Sequence, residues 1–146
     1  MLCVKPRIDT RRGVTLFTSH DGVARACVPV YKPTDIRALL TAEIQVLAVD
    51  ECQFFPPDIA ETLLSLPRPL DIICAGLDLD FRGVPFPSMT ALMAVADNVI
   101  KLKARCCVCG EPAGMSRRLT ADTKTVALGA ADTYEARCRA CHALPK

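Results

Sequence analysis

The sequence contains no tryptophan, and among its 146 residues there are only two tyrosines and five phenylalanines. So few aromatic rings leave little surface on which nucleic-acid bases can stack. Neither sign of charge is in large excess, since 18 Lys and Arg face 16 Asp and Glu, for a net charge of +2. These shortages exclude the strongly basic nucleic-acid-binding proteins, and we expect no nucleic-acid partner.

Long hydrophobic runs are also missing. The longest stretch without charge runs from Gly83 to Ala96, contains Pro85 and Pro87, and is shorter than the roughly 18 apolar residues of a membrane span. Near the amino terminus, Lys5 and Arg7 are not followed by the apolar core of a signal peptide. We therefore expect no membrane partner and a cytoplasmic location.

Cysteine, by contrast, is abundant. Without a secretion signal, a disulfide framework is the less favoured explanation, and metal binding comes ahead of it. Five of the nine cysteines lie in the last 41 residues, mostly in two close pairs. The nine are Cys3, Cys27, Cys52, Cys74, Cys106, Cys107, Cys109, Cys138 and Cys141.

The first two-thirds of the chain alternates apolar runs with segments of helical periodicity, which predicts a doubly wound parallel α/β sheet. Buried strands are expected to end in acidic residues at Asp50 and Asp78. Predicted strands cover 1–4, 23–30, 45–49 and 70–75, and predicted helices begin near Asp35, near Asp58 and at Ser88 as the N-cap, the last ending near Asn98. Further short strands are predicted at 99–105, 125–129 and 134–138, and the boundary near Lys103 separates predicted domains 1–103 and 104–146.

Two C-x-x-C pairs, Cys106 with Cys109 and Cys138 with Cys141, have the spacing of zinc knuckles. Four thiolates can occupy all four positions of a tetrahedral zinc ion, which makes the ion structural and not catalytic. Two alternatives distort the spacing: Cys107 in place of Cys106, and His142 in place of Cys141. Buried free thiols or a redox pair are the remaining explanation. The long segment between the pairs is expected to loop out.

Asp50 and Glu51 follow an apolar strand directly. An aspartate at this place commonly holds Mg²⁺ in phosphate-transfer enzymes, and a neighbouring glutamate can accept a proton from an attacking hydroxyl. On the pattern alone, a solvated strand end is the more common explanation.

Several longer motifs, in order, resemble the zinc-containing cytosolic type of thymidine kinase. The resemblance runs from Lys5 to His142. It is carried by Asp50-Glu51-Cys52-Gln53-Phe54-Phe55, by Gly76-Leu77-Asp78-Leu79-Asp80-Phe81-Arg82-Gly83, by Pro85-Phe86-Pro87-Ser88, by Lys101-Leu102-Lys103-Ala104-Arg105-Cys106 and by Tyr134-Glu135-Ala136-Arg137-Cys138-Arg139-Ala140-Cys141-His142.

The resemblance implies a role for each matched residue. Glu51 would be the catalytic base that deprotonates the 5′-hydroxyl of thymidine as it attacks the γ-phosphate of ATP, and Asp50 would help to hold Mg²⁺. Nucleotide-binding positions would be Asp9, Thr10, Arg11, Asp50, Glu51, Cys52 and Gln53. The side chains that line the thymine pocket would be those of Leu77, Phe81 and Phe86. A lasso-like lid over the nucleoside would contribute Ser116, Thr125, Val126, Ala127, Leu128, Gly129 and Tyr134.

The resemblance also implies a fold and an assembly. The fold would be a P-loop-NTPase-like parallel α/β sheet with a small C-terminal zinc-ribbon lobe that carries the lid. Zinc bound by four cysteines would fix both ends of that lid in place. These ligands would be Cys106, Cys109, Cys138 and Cys141. The family suggests a homotetramer, ATP with Mg²⁺ as cofactor, and a role in nucleotide salvage for DNA synthesis.

The family's phosphate-binding loop, G-x-x-x-x-G-K-[ST], has no counterpart in the sequence, because none of the seven glycines is followed by lysine and then serine or threonine. The kinase core is therefore expected to be truncated, without its first strand and phosphate loop. Three explanations are a start codon set too far downstream, a degraded gene copy and a fragment. The first is favoured, because the remaining motifs are intact.

Three functions follow from these features. The leading one is an ATP-dependent thymidine kinase. The second is a truncated homologue that binds thymidine or dTTP without turnover. The third, supported only by the two cysteine pairs, is a zinc-ribbon nucleic-acid binder, which the near-neutral charge and the few aromatics disfavour.

Overall fold

The structure is a computed structural model that describes residues 1–7, 16–18, 24–120 and 133–142. It divides into two compact units. The first comprises Met1–Leu77 and Pro87–Val95, and the second comprises Asp78–Phe86 and Ala96–Lys146. The predicted boundary after residue 103 stays a prediction.

A four-stranded parallel sheet forms the centre of the first unit. Its strands are β1 (Leu2–Pro6), β4 (Val28–Val30), β5 (Val46–Val49) and β6 (Asp71–Cys74), in the order β4-β1-β5-β6. The sequence predicted β1, β5 and β6 closely, whereas β4 covers only the end of the strand predicted over 23–30. The prediction of a parallel α/β sheet is therefore confirmed.

Three α-helices accompany the sheet in the part of the chain that the structure describes: α1 (Asp35–Leu39), α2 (Ile59–Leu64) and α3 (Pro87–Val95). Each is short, so its stability comes from apolar side chains buried against the rest of the unit. Ile36, Ile59 and Leu92 are among these side chains, and the strands contribute Val4 and Leu47. No helix within the described residues is long and apolar enough to cross a membrane.

Two local predictions in this unit are wrong. The single strand expected over 23–30 is two strands: β3 (Ala24–Ala26) pairs antiparallel with β2 (Leu16–Thr18), whereas β4 joins the parallel sheet. Ser88 is not the N-cap of α3, because the helix begins at Pro87, whose fixed φ suits the first helical position. Ser88 Oγ is buried and has no hydrogen-bond partner in the described part of the chain.

The described residues of the second unit form two small antiparallel sheets. In one, β7 (Ala104–Arg105) pairs with β8 (Pro112–Ala113), and in the other β9 (Met115–Arg118) pairs with β10 (Tyr134–Arg137). The strand predicted over 99–105 forms only at its last two residues. The side chains of Ile100 and Leu102 are more than four-fifths exposed. No described strand pairs with 99–103, so the backbone there has no neighbouring strand with which to form hydrogen bonds.

Candidate active site and metal centre

The carboxyl end of β5 carries the acidic pair that the sequence singled out. The Asp50 amide donates a hydrogen bond of 2.9 Å to the carbonyl of Val4 on the neighbouring strand. Glu51 follows with φ of 52°, in the left-handed region that non-glycine residues adopt at an energetic cost. Such strained residues concentrate at functional sites. This turn directs the chain into a 3-10 helix, Cys52–Phe54.

Gln53 holds the Glu51 carboxylate from the far side of that turn. Its side-chain amide nitrogen donates to Glu51 Oε2, and its Oε1 accepts from the Leu77 amide at 3.1 Å. Gln53 itself is only 6% exposed. A buried amide with a partner at each end has one orientation, so Gln53 fixes the Glu51 carboxylate while leaving it partly accessible.

Gly76 leaves the space that Gln53 occupies. A Cβ at this position would lie 2.6 Å from Gln53 Oε1 and 2.9 Å from Met89 Sδ. Both separations are too short for carbon, so a larger residue would displace the Gln53 side chain. The backbone at Gly76 therefore approaches the Gln53 side chain closely, and this close approach helps to position Glu51.

A buried lysine near Asp50 is a feature that the sequence analysis missed. Lys5 lies on β1 and is 2% exposed. Burial raises the pKa of the neighbouring Cys27 thiol to about 12, and both the Lys5 and the Asp50 charges act on that thiol. A lysine inside the apolar run of β1 was the available signal, because a buried cation needs a compensating group.

Cys52 and Cys74 form a second unpredicted arrangement at this end of the sheet. The Cys52 side chain is fully buried, its Sγ lies 3.2 Å from the carbonyl oxygen of Val49, and it shares a side-chain hydrogen bond with Cys74. That hydrogen bond, together with burial, raises the pKa of the Cys52 thiol. The same bond lowers the pKa of Cys74.

The second unit brings the predicted zinc ligands together. The sulfur atoms of Cys106, Cys109, Cys138 and Cys141 all lie within 4.8 Å of one another, and those of Cys109 and Cys138 are 3.6 Å apart. A zinc ion with four Zn–S bonds of about 2.3 Å needs sulfur–sulfur separations of about 3.8 Å. The sulfur cluster therefore fits zinc. Neither Cys107 nor His142 belongs to it, so the two alternative ligands are wrong.

Local backbone geometry shapes each of the two knuckles. In the first, the Gly110 amide donates to the Cys106 carbonyl at 2.9 Å, and Gly110 has the positive φ of 76° that this turn requires. In the second, the amides of Cys141 and His142 both donate to the Cys138 carbonyl. The Cys107 amide, which donates to the Ala136 carbonyl at 3.0 Å, ties the first knuckle to the strand before the second.

Hydrogen bonding shifts the pKa values of the Cys106 and Cys141 thiols in opposite directions. Backbone hydrogen bonds lower the pKa of the Cys106 thiol to about 6, and the bond that involves Cys138 has the largest effect. Side-chain hydrogen bonds from Cys138 and Cys109 raise the pKa of the Cys141 thiol to about 12. A thiolate at Cys106 is therefore stable beside a protonated Cys141. Ionising Cys141 as well requires a nearby cation, which a divalent metal supplies.

The segment Asp78–Phe86 folds back on itself in the second unit. Leu79 bridges to Pro85, and the Phe86 amide donates to the Asp78 carbonyl at 3.0 Å. At its centre, the buried Asp80 carboxylate accepts from the amides of Arg82 and Val84 at 2.8 and 2.9 Å. It also accepts from the Arg82 guanidinium at 2.7 and 2.9 Å. Asp80 is thus the organising residue of this loop.

The Asp80 interactions predict a dependence of stability on pH. Burial alone would raise the pKa of this carboxyl, but the Val84 and Arg82 hydrogen bonds and the Arg82 charge outweigh it and hold the pKa below its usual 3.8. A depressed folded-state pKa stabilises the protein above the unfolded value, and that stabilisation is lost as the pH falls through the folded value.

We expect Asp80→Asn to lower the free energy of unfolding by about 1–3 kcal/mol at pH 7. The difference from the wild type should shrink as the pH falls below about 4. Urea unfolding of both proteins between pH 7 and pH 2.5 measures this, with the exposed Asp97→Asn as control. A difference that stays constant over the whole range would contradict the assignment.

Phe81 and Tyr134, both predicted to contact the nucleoside, meet at Arg118. The Arg118 guanidinium carbon lies 3.9 Å from the centre of the Phe81 ring and 5.1 Å from that of Tyr134, and its Nε donates to the Tyr134 hydroxyl at 3.1 Å. Arg118 is 8% exposed. Sequence analysis missed it, because one arginine in the pair Arg117-Arg118 looks like any solvated basic residue.

Replacing Arg118 with methionine keeps the aliphatic bulk and removes the charge and its hydrogen bonds. Because a desolvated cation over an aromatic ring contributes about 2 kcal/mol, we expect a loss of about 2–3 kcal/mol in the free energy of unfolding. Urea titration of the metal-loaded protein measures it. Arg117→Met, one position along β9, is the control and should cost less than about 0.5 kcal/mol.

His142 connects three parts of the second unit. Its Nε2 lies 3.0 Å from the Phe81 carbonyl oxygen and 3.3 Å from that of Ser116. Two carbonyl acceptors require a hydrogen on this nitrogen. His142 therefore links the 78–86 loop and β9 to the second knuckle, a role that only the tertiary structure reveals.

The other predicted site residues divide into two groups. Leu77, half exposed, follows β6 in the first unit, whereas Phe86 and Ser116 are partly buried in the second. Outside the described residues lie Asp9, Thr10, Arg11, Thr125, Val126, Ala127, Leu128 and Gly129. The strand predicted at 125–129 lies there too. The roles given to all of these residues stay predictions.

Comparison with known protein families adds one finding to this geometry. The family model of thymidine kinase matches residues 1–142 of the chain. The match covers both units, including the acidic strand end and all four clustered cysteines.

Proposed function

The chain belongs to the thymidine kinase family, and from this premise we propose that it transfers the γ-phosphate of ATP to the 5′-hydroxyl of deoxythymidine. Its product would enter DNA synthesis by nucleotide salvage. The observation that carries the proposal is the Glu51 carboxylate, held by Gln53 at the end of a parallel strand. Ligands of open α/β sheets bind at the carboxyl ends of the strands.

Glu51 is the proposed catalytic base. Its turn has a strained backbone, its carboxylate is fixed by Gln53, and it remains partly accessible to a substrate. As the thymidine hydroxyl attacks phosphorus, its proton would pass to Glu51, so that the oxygen carries less positive charge in the transition state. Phosphoryl transfer depends mainly on positioning and on charge stabilisation, which suits a base held in one orientation.

Asp50 is the proposed ligand of the Mg²⁺ ion that accompanies ATP. A carboxylate oxygen suits this hard cation, which would neutralise charge on the phosphates. Cys52 and Gln53 complete the nucleotide-binding run, with Asp9, Thr10 and Arg11 as further proposed positions. The buried Lys5 adds a positive charge to this end of the sheet.

The cysteine cluster is proposed to hold a structural zinc ion. With all four positions taken by sulfur, the ion has no open site for substrate. The chain between the knuckles runs from β9, which carries Ser116, to β10, which carries Tyr134. We propose that this segment closes over the nucleoside, with Thr125 to Gly129 reading the base through backbone groups and Leu77, Phe81 and Phe86 contacting thymine. A cytoplasmic homotetramer is the proposed form.

Transfer of radiolabelled γ-phosphate from ATP tests the function. Both the 146-residue chain and the chain extended by its in-frame upstream coding sequence are measured. We expect labelled thymidine monophosphate from thymidine and no product from 5′-deoxythymidine, which lacks the acceptor hydroxyl. No transfer by either form, with zinc bound, would defeat the proposal.

A second candidate is binding of thymidine or dTTP without turnover. The absence of a G-x-x-x-x-G-K-[ST] motif from the printed sequence favours it, because that loop supplies the amides and the lysine that hold the phosphates. Calorimetry separates the candidates. Thymidine binding by the 146-residue chain without phosphate transfer supports the second, and no binding removes it.

A further inference from the structure

Both Cys52 and Cys74 lie next to Val49, the last residue of β5. In the sheet register, Cys74 on β6 pairs with Val49, and the Ala75 amide donates to the Val49 carbonyl at 2.8 Å. The Cys52 sulfur lies 3.2 Å from that same carbonyl oxygen, and the Cys52 amide donates to the Ala75 carbonyl at 2.9 Å. The two cysteines are therefore fixed beside each other by backbone hydrogen bonds.

This arrangement places the Cys52 and Cys74 side chains next to each other. Hydrogen bonding between the two thiols raises the pKa of Cys52 and lowers the pKa of Cys74. A disulfide needs Cα atoms roughly 4.4–6.8 Å apart and converging Cβ atoms. Cys52 begins the 3-10 helix that follows β5, and the hydrogen bond of its amide to the Ala75 carbonyl holds it beside the end of β6.

The two thiols differ in their access to solvent. Cys52 is 0% exposed, whereas Cys74 is partly exposed. A small oxidant can thus reach Cys74 but not Cys52. This asymmetry is typical of dithiols in which one sulfur is attacked from solvent and a buried one then resolves the product.

We propose that Cys52 and Cys74 form a redox-active dithiol that peroxides convert to a disulfide one residue from Glu51. The proposal concerns a covalent modification of the folded first unit and does not rest on the kinase function.

The oxidation balances with hydrogen peroxide as the only co-reactant. The Cys74 thiolate attacks one peroxide oxygen, the O–O bond breaks, and the released hydroxide takes up a proton to become water. The Cys52 thiol, losing its proton, then attacks the sulfur of the Cys74 sulfenic acid, and the S–O bond breaks to release a second water. Two thiols and one peroxide give one disulfide and two waters.

Another cysteine pair in the same unit provides a matched control. The register of β1 and β4 pairs Val4 with Val28, which places the preceding residues Cys3 and Cys27 side by side. Burial and hydrogen bonding to Cys3 raise the pKa of the Cys27 thiol. Side chains on neighbouring parallel strands run side by side, at the strand spacing of about 4.8 Å. That exceeds the 3.5–4.5 Å that disulfide Cβ atoms require, so we expect Cys3 and Cys27 to stay reduced.

The test treats the zinc-loaded, full-length chain with a few equivalents of hydrogen peroxide and then alkylates it in denaturant. Cleavage after glutamate and with trypsin gives peptides 52–61 and 62–82, each with one cysteine. We expect these two peptides linked, with a mass two hydrogens below their sum, in the majority of molecules. Reduction with dithiothreitol should separate them.

Two variants and one internal standard make the outcome decisive. With Cys52→Ser, the Cys74 sulfenic acid should persist and be trapped by dimedone, and with Cys74→Ser, Cys52 should remain open to alkylation. The exposed Cys107 reports the dose of oxidant. Cys52 and Cys74 both fully alkylated at a dose that oxidises Cys107, or linked peptides from Cys3 and Cys27 instead, would overturn the proposal. Only the masses of the peptides are measured, so the result does not depend on whether the chain has kinase activity.

Discussion

Replacing Cys138 with serine is expected to abolish stoichiometric zinc binding and to unfold the knuckle region. Cys138 is one of the four clustered sulfurs, is buried, and forms a hydrophobic cluster with Cys106 and Ala113. The proposed metal ligands are therefore also most of the core of these two small sheets. With so little apolar surface to bury, the region needs the roughly 10–16 kcal/mol that zinc contributes in isolated zinc-finger peptides.

The expected loss of zinc affinity exceeds the 10–100-fold that follows loss of a mere outer-shell partner. Metal content of the purified protein and zinc competition with a chromophoric chelator measure it, and hydrogen exchange at the amides of β9 and β10 reports the unfolding. Cys107→Ser is the matched control, since Cys107 is adjacent to Cys106 but exposed and outside the cluster. Zinc retained by Cys138→Ser, or lost by Cys107→Ser, would show that the ligand set is wrong.

Replacing Glu51 with glutamine is expected to lower kcat for thymidine phosphorylation by about 10²–10⁴-fold, with little change in thymidine affinity. Glutamine preserves the size of the side chain and leaves an oxygen that can accept the Gln53 hydrogen bond. It cannot take up the hydroxyl proton. The prediction rests on the proposed function and is measured as kcat and KM in whichever form of the chain transfers phosphate.

Glu61→Gln provides the control for Glu51. Glu61 carries the same group, but it is exposed on α2 in the same unit. Its replacement should leave kcat unchanged within twofold or so. If Glu51→Gln retained wild-type kcat, or lost activity only through a raised KM, Glu51 would be a binding residue and not the base.

Short-range patterns explain why much of the fold was predictable. Apolar runs such as 45–49 give buried parallel strands, and their periodicity differs from that of helices, so element type follows from local sequence. The C-x-x-C spacing predicted the sulfur cluster for a related reason. Each knuckle is a local turn whose geometry depends on a few neighbouring residues, Gly110 among them.

The errors arose where a neighbouring element decided the outcome. The segment 99–103 contains Val99, Ile100 and Leu102 and was predicted to be part of a strand. Strand formation also requires a partner strand, which sequence composition does not reveal. The break at Cys27 between β3 and β4 arises because one pairs antiparallel with β2 and the other parallel with β1. Such choices depend on contacts between residues distant in the chain.

The amino-acid sequence by itself determined the class of fold, the four clustered cysteines, the acidic strand end and the family, because each depends on residue types at fixed spacing. Only the tertiary structure decided how Gln53 holds Glu51, which partners surround Arg118, His142 and Asp80, and that Cys52 meets Cys74. Gln53 and Glu51 are two residues apart, and the partners of Asp80 lie within four residues of it, whereas the other contacts join segments far apart in sequence. Their distances and burial follow from how the strands and loops pack, which no local pattern encodes.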